Sequence, residues 1–255
     1  MKTLDQLPES LTATCEIHGE YEALVSRIPI LNKYMISERC PQCLAVPDEA
    51  AQEAHKEEVR ASEAKAWEAR KKQAGINLRH LECTLESYRA DTPEKQNALG
   101  KAREFVSNIL SGNGGNLILA GKVGTGKTHL AAAITSEVLR ANRSCRLAKL
   151  PEIIRDIKNS WRGEGPSESE LIDRYSKVDL LIIDEVGVQY GSDTEKLLIS
   201  EIIDNRYQEM LPTVLISNLD VQGIKGCIGE RCYDRLREDG GIVANFTWES
   251  HRGEA

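Results

Sequence analysis

The 255-residue chain lacks any apolar run near the roughly 18 residues that a membrane span requires, and its opening stretch, MKTLDQLPESLTA, has no apolar segment of the kind that marks a secretory signal. Both absences lead to the expectation of a cytoplasmic protein with no membrane partner. Basic excess is lacking too: 33 lysines and arginines stand against 40 aspartates and glutamates, a formal charge of −7. No global field draws such a chain to nucleic acid or anionic lipid, so any DNA contact must be local. There is no internal repeat and no low-complexity tract. The seven cysteines are an odd number in a chain without an export signal, which argues against a disulfide framework and for metal binding or buried thiols.

What is present is an ordinary globular composition, 40% hydrophobic and 29% charged, with material for one substantial core. Three zones follow one another. Residues 10–46 carry Cys15, His18, Cys40 and Cys43. Residues 47–73 are almost wholly Ala, Glu, Lys, Arg and Gln, strong helix formers of nearly balanced charge, and read as a solvated helix. From Gly75 onward NLILA (116–120), CRLAKL (145–150), DLLIIDE (179–185), PTVLIS (212–217) and GIVANF (241–246) read as buried strands. Helical patterns at 128–141, 151–160, 193–209 and 229–238 separate them. Strand and helix in alternation predict an α/β fold, a parallel five-stranded sheet covered by helices on both faces.

The first strand runs into Gly121-Lys-Val-Gly124-Thr-Gly126-Lys127-Thr128, a complete G-x-x-x-x-G-K-[ST] match, and a helical pattern follows at once. The glycines let backbone N–H groups turn inward around phosphate oxygens, the helix N-terminus adds its positive end, and Lys127 reaches the terminal phosphates. Thr128 offers its hydroxyl to Mg2+. The expected nucleotide-binding set is Gly121, Val123, Gly124, Thr125, Gly126, Lys127, Thr128 and His129. A dinucleotide fold is excluded, since G-x-G-x-x-G would need glycine where His129 stands.

Asp184 and Glu185 end the run LLIID. Beside a P-loop, an aspartate at the C-terminal end of a parallel strand holds Mg2+ through its water shell, and an adjacent glutamate takes a proton from the attacking water. The pair favours an ATPase over a protein that only stores nucleotide. PTVLIS stops at Asn218, whose amide either orients the attacking water and senses the γ phosphate or forms an ordinary Asx-turn. The sheet order of P-loop ATPases brings that strand beside the first one.

From Gly75 to Arg252, 178 of 255 residues, the chain resembles the ATPase module of DnaC-type helicase loaders, a branch of the AAA+ superfamily close to the initiator DnaA. The pieces that carry the resemblance are AGINLRHLECTLESY (74–88), GKVGTGKTHLAAAI, VDLLIIDEVGVQ, GERCYDRL (229–236) and NFTWESHR (245–252). The last two are far more specific than the nucleotide motifs. The resemblance implies ATP bound at Gly121 to Thr128, magnesium and hydrolysis at Asp184 and Glu185, and a sensor at Asn218. It also implies a second sensor at Arg252 and an arginine finger at Arg235, with Arg231 the second match, reaching a neighbouring subunit's ATP through self-association. Taken as residues alone, the two arginines lie four apart on one helix face and equally well pair with Glu230, Asp234 or Glu238. The few residues after the last strand leave no room for the usual AAA+ helical lid, so assembly is expected to matter more for nucleotide affinity. Between the second strand and DLLIIDE the family carries its elements for single-stranded DNA, and here that region holds Arg155, Lys158, Trp161 and Arg162. Trp161 either stacks on a base beside a phosphate-bound guanidinium or packs the helix onto the sheet.

Cys15-x-x-His18 and Cys40-x-x-Cys43 are separated by 21 residues (19–39), close to the spacing of two-knuckle zinc ribbons. Three thiolates and one imidazole complete a closed tetrahedral shell for Zn2+, a structural site without an open position; the alternative is a coincidence of cytosolic side chains. The expected domains are 1–46 for zinc and helicase contact, 47–74 as a charged helical linker, and 75–255 as the AAA+ ATPase. The resemblance implies an ATP-dependent loader that delivers a hexameric DnaB-type replicative helicase to single-stranded DNA and resets on hydrolysis. The alternatives are an IstB-type transposition ATPase acting on duplex DNA, and a zinc-based adaptor that inhibits a host helicase.

Overall fold

The computed structural model describes residues 10–28, 33–36, 40–45, 49–163, 165–187, 192–238 and 240–250. The chain divides into two compact units, Met1–Lys65 and Ala66–Ala255. In the first, β1 (Ser10–Cys15) and β2 (Gly19–Ile28) form an antiparallel hairpin, in register from Ser10 opposite Leu24 to Cys15 opposite Gly19. The strand β3 (Lys33–Ile36) pairs with the far end of β2, and α1 (Pro41–Ala45) begins directly after Cys40. The charged zone forms one helix, α2 (Glu49–Gln73), within a residue or two of its sequence limits.

In the second unit α3 (Pro93–Leu110) opens on Thr92, whose hydroxyl accepts the Lys95 N–H, with proline at the first helical position. Strands and helices then alternate: β4 (Leu117–Gly121), α4 (Lys127–Arg140), β5 (Cys145–Lys149), α5 (Leu150–Ser160), α6 (Glu168–Ser176), β6 (Leu180–Val186), α7 (Asp193–Gln208), β7 (Thr213–Ser217), α8 (Val221–Ile228), α9 (Glu230–Arg237) and β8 (Ile242–Phe246). The strands β4 to β8 are parallel, in the order β5-β6-β7-β4-β8. The five-stranded parallel sheet expected from the alternation is therefore present, and β7 lies beside β4.

Side chains alternate across a strand, so β4 feeds two cores at once. Leu117 and Leu119 pack with Phe105, Leu130 and Ile134 under α3 and α4. Ile118 and Ala120 pack with Ile153, Ile157, Tyr175 and Ile202 under α5, α6 and α7. Each large aliphatic side chain buried this way contributes about 1.5–3 kcal/mol, which is why the strands read as unbroken apolar runs. The fully buried Arg206 ties α7 to the segment before β6, donating to the carbonyls of Ser176 (2.9 Å) and Val178 (2.8 Å) and to the Thr213 hydroxyl (3.0 Å). Burial holds its guanidinium down to about 10, yet still charged at neutral pH.

The outer edge of β5 is occupied. Leu147 donates its N–H to the Ala74 carbonyl (2.7 Å) and Arg146 its guanidinium to the Gln73 carbonyl (2.9 Å). Gly75 has φ +100°, and a Cβ there would lie 1.9 Å from the Leu147 oxygen, so only glycine permits this approach.

Candidate active site

A cleft of about 900 Å3 opens at the C-terminal ends of the parallel strands, floored by Val123 to His129 and closed on the far side by Asp184, Glu185 and Asn218. The loop after β4 turns on Gly126, at φ 97°, into the first turn of α4. Lys127 lies inside this loop, its ammonium donating to the carbonyls of Gly121 (2.7 Å) and Lys122 (2.6 Å). A positive charge is thereby held within the loop, on the cleft that Val123 to His129 line. Gly121 and Val123 border the same turn, Val123 largely exposed.

The acidic pair is aimed by a bulge. On β6, Ile183 stands opposite Leu215 of β7 and Val186 opposite Ser217, so β6 carries one extra residue. Glu185 takes φ 58° to accommodate it, a left-handed conformation that costs a glutamate about 1–3 kcal/mol. Asp184 accepts the Glu185 N–H on Oδ1 (2.7 Å) and the Thr128 hydroxyl on Oδ2 (3.2 Å). Burial raises the Asp184 carboxyl above its ordinary range. Lys149, the last residue of β5, pairs with Glu185 at 2.8 Å, and that hydrogen bond raises the lysine's own proton affinity. Asn218 follows β7 directly and faces the cleft from between the two motifs.

His129 borders the cleft, while its ring bonds the segment before the module: Nε2 lies 3.2 Å from Ser87 Oγ and 3.3 Å from the Thr84 carbonyl oxygen. Arg79, His80, Cys83, Tyr88 and Arg89 of that segment form the cleft's third wall. Sequence reasoning quoted the stretch 74–88 without giving it a role. Lys149 was missed as well, since a lysine at a strand end carries no local signal.

In the first unit, the turn between β1 and β2 and the start of α1 bring Cys15, His18, Cys40 and Cys43 together, all four ligand atoms within 4.8 Å of one another. Cys15 Sγ lies 3.5 Å from Cys43 Sγ, and His18 Nδ1 lies 3.8, 3.8 and 3.2 Å from the sulfurs of Cys15, Cys40 and Cys43. A tetrahedral zinc shell has edges of about 3.8 Å between sulfurs and about 3.6 Å between sulfur and nitrogen, so the cluster has the dimensions of such a site. The Cys15 thiol is drawn down to about 6, chiefly by the backbone N–H of Ile17, and Cys43 beside it is pushed up to about 11 by sharing a proton with Cys15. Thiols this close do not all ionise without a cation between them.

Comparison with known proteins places the nucleotide cleft in a family. Residues 42–233 match the family described as IstB-like ATP binding protein. The chain belongs to the IstB-like ATP-binding protein family. The replicative helicase loader DnaC of Escherichia coli (strain K12) is 39% identical over 179 residues, which is 70% of this chain and 73% of that protein. Among solved structures, that of DnaI superposes with a TM-score of 0.58 at 25% identity, over 70% of this chain and 95% of that one. The replication initiator DnaA bound to AMPPCP and single-stranded DNA gives a TM-score of 0.58 at 22% identity over 69% and 52%, a likeness of fold. The IstB-family match takes in the P-loop, Asp184, Glu185, Asn218, Arg231 and Cys43, and leaves Cys15, His18 and Cys40 outside it.

The arginines divide. Arg231, on the first turn of α9, is exposed. Arg235 is turned inward: its guanidinium pairs with Asp204 of α7 and lies 5.1 Å over the Tyr207 ring, with its side chain 14% exposed. Among the described residues neither is paired with an acid of its own helix: Glu230 binds Lys225 at 3.0 Å, Asp234 lies 4.0 Å from the same lysine, and Glu238 accepts the Tyr207 hydroxyl. Arg252 lies outside the described residues. Of the residues expected to meet DNA, Arg155 and Arg162 are exposed, and Lys158 is engaged by the buried Glu195 at 2.8 Å. Trp161 is 50% exposed, its indole donating to Glu168, so Ile153, Ile154 and Ile157 are what pack α5 on the sheet. Among the described residues no helix is long and apolar enough to cross a membrane.

Proposed function

We propose that this chain is an ATPase that loads a hexameric DnaB-type replicative helicase onto single-stranded DNA. The observation that carries the ATPase reading is the contact of Thr128 with Asp184 at 3.2 Å, which joins the P-loop to the acidic strand across β7. Backbone N–H groups of Gly124 to Thr128 receive the phosphates, and Lys127 exchanges its two carbonyl acceptors for phosphate oxygens. Thr128 and Asp184 would hold Mg2+, and a carboxylate starved of water by burial fits a divalent cation. When bound, the ion neutralises charge on the β- and γ-phosphate oxygens. Glu185, released from Lys149, accepts the proton of the attacking water on a carboxylate oxygen, and the Asn218 amide orients that water against the γ phosphate. Arg231 is the residue free to reach a neighbouring subunit's ATP, and Arg235 holds α9 against α7.

The division of labour follows the chain. Residues 1–46 fold around zinc on Cys15, His18, Cys40 and Cys43 and, with the linker 47–74, contact the helicase; the ATPase occupies 75–255. Zinc would supply a crosslink in place of a core. Arg155, Trp161 and Arg162 meet single-stranded DNA, the Trp by stacking and the arginines by phosphate contact. The 39% identity to a replicative helicase loader, over 73% of its length, supports the loader over a transposition helper or an inhibitory adaptor.

A loading assay tests this. Purified helicase is mixed with covered single-stranded DNA, ATP and the full chain, and DNA unwinding is followed. The parent should load helicase, while Lys127→Ala should bind no ATP and load none. Stimulation of a transposase on duplex DNA with no helicase binding would transfer the chain to the other reading.

A further inference from the structure

The carbonyl of Thr125 accepts two side-chain donors from opposite ends of the module. The Trp248 indole N–H reaches it at 3.1 Å from the segment after β8, and the Tyr88 hydroxyl at 3.4 Å from the segment before α3. Both rings are fixed. Tyr88 is buried in the main core, against Gly126 and the His129 ring (5.4 Å). Trp248 packs on Phe246 at 4.8 Å. A carbonyl oxygen has two lone pairs, and here both are taken.

The peptide that follows is trans, as are all those described. In a trans peptide the carbonyl and the next N–H point in opposite directions, so a carbonyl fixed by two donors fixes the direction of the Gly126 N–H as well. That N–H belongs to the phosphate cradle. Gly126, at φ 97°, could otherwise turn this peptide over at little cost.

We propose that Tyr88 and Trp248 are positioning residues that clamp the Thr125–Gly126 peptide and so set the phosphate-binding conformation of the P-loop. The clamp rests on the nucleotide-binding reading above and deepens it. Neither residue need touch nucleotide. Tyr88 keeps its donor proton across the physiological range, because burial pushes its hydroxyl up to about 12.

The test uses the full chain with Tyr88→Phe, Trp248→Phe and the double variant, each keeping a ring and losing a donor. One neutral hydrogen bond corresponds to about a two- to tenfold change in affinity. Either donor alone still holds the carbonyl, so each single variant should bind ATP at most about tenfold more weakly, and the double variant should lose more than the product of the two. Inorganic tripolyphosphate should weaken by the same factor as ATP, since the clamp acts through the phosphates. The Gly126 amide resonance of 15N-labelled protein should move in the nucleotide-free double variant, reading the peptide's orientation directly even if stability also changes. An unmoved resonance, unchanged affinity, or a loss seen with ATP but not with tripolyphosphate would overturn the clamp. A parent chain that binds neither ligand would instead remove the nucleotide reading, and the clamp with it.

Discussion

Replacing Arg235 and Arg231 by alanine, one at a time, should damage two different properties. Arg235→Ala removes a guanidinium whose side chain is 14% exposed and strands Asp204, itself 28% exposed. Breaking an exposed pair costs about 0–1 kcal/mol and a fully buried one about 3–5 kcal/mol, so this intermediate pair is worth about 2–3 kcal/mol. At about 2–4 °C per kcal/mol for a module of this size, the melting temperature should fall by about 4–12 °C. Arg231→Ala touches only exposed surface and should melt with the parent. Turnover behaves oppositely, since an arginine finger supplies about 10³–10⁵ in rate to the site it enters. Thermal unfolding reads the first property, and ATP hydrolysis by mixed chains reads the second. In an equal mixture of Arg231→Ala with Lys127→Ala, about a quarter of the interfaces join an intact P-loop to an intact arginine, and activity should return to about that share. If Arg235→Ala melts with the parent and is rescued by mixing, while Arg231→Ala alone hydrolyses normally, the inward reading of Arg235 is wrong.

Three further outcomes are expected. Glu185→Gln should bind ATP and fail to hydrolyse it, whereas Lys149→Met, which frees Glu185, should raise basal turnover; equal rates in parent and both variants would remove Glu185 from the chemistry. Chelation, or Cys40→Ser with Cys43→Ser, should unfold the hairpin and leave the ATPase module folded, because metal-linked folding of about 10 kcal/mol has no substitute in so short a segment; metal analysis finding no zinc in the purified parent would refute this. Asp184→Asn should melt higher than the parent without nucleotide. Burial puts the folded pKa of Asp184 above its unfolded value, so the aspartate costs stability as pH rises from the ordinary carboxylate range through the raised value. The gain should therefore be larger near pH 7 than near pH 4, at about the unfolded carboxylate value, and Mg2+-ATP should no longer stabilise the variant; a gain independent of pH would sink the argument.

The central sheet was legible because parallel strands are buried on both faces, so NLILA and DLLIIDE announce themselves without their neighbours. The P-loop was legible for a related reason: its chemistry is local, with glycines, lysine and threonine consecutive in sequence. The hairpin of β1 and β2 was not read, although Leu11 and Ala13 alternate with Thr12 and Thr14, and Tyr21 and Ala23 with Glu20 and Glu22; its apolar positions are few and small, and the cysteines and histidine dominate the segment. Helix α3 escaped although Thr92-Pro93 mark its start and Ala98, Ala102, Phe105 and Ile109 its buried face. The arginines' partners were not legible where they are tertiary: the sequence offers Arg235 only neighbours on its own helix, and the fold supplies Asp204 from α7. Lys149 and Glu185 are likewise joined only by the pairing of β5 with β6.

The lacing of Gln73 and Ala74 onto the edge of β5 has a mechanical consequence. Trp67, one turn and a half earlier, has the Arg140 guanidinium of α4 5.6 Å from its ring centroid, beside Lys71 of its own helix, so the end of α2 is tied to α4 as well. It is a handle. Tension applied there bears on Leu147, and β5, an extended strand bonded along its inner edge, has almost no slack with which to absorb it. The displacement is delivered two residues on, at Lys149, the cation that restrains the proposed base. A displacement at the end of the helix would therefore reach the Lys149–Glu185 pair along β5, and through it the proposed hydrolysis step.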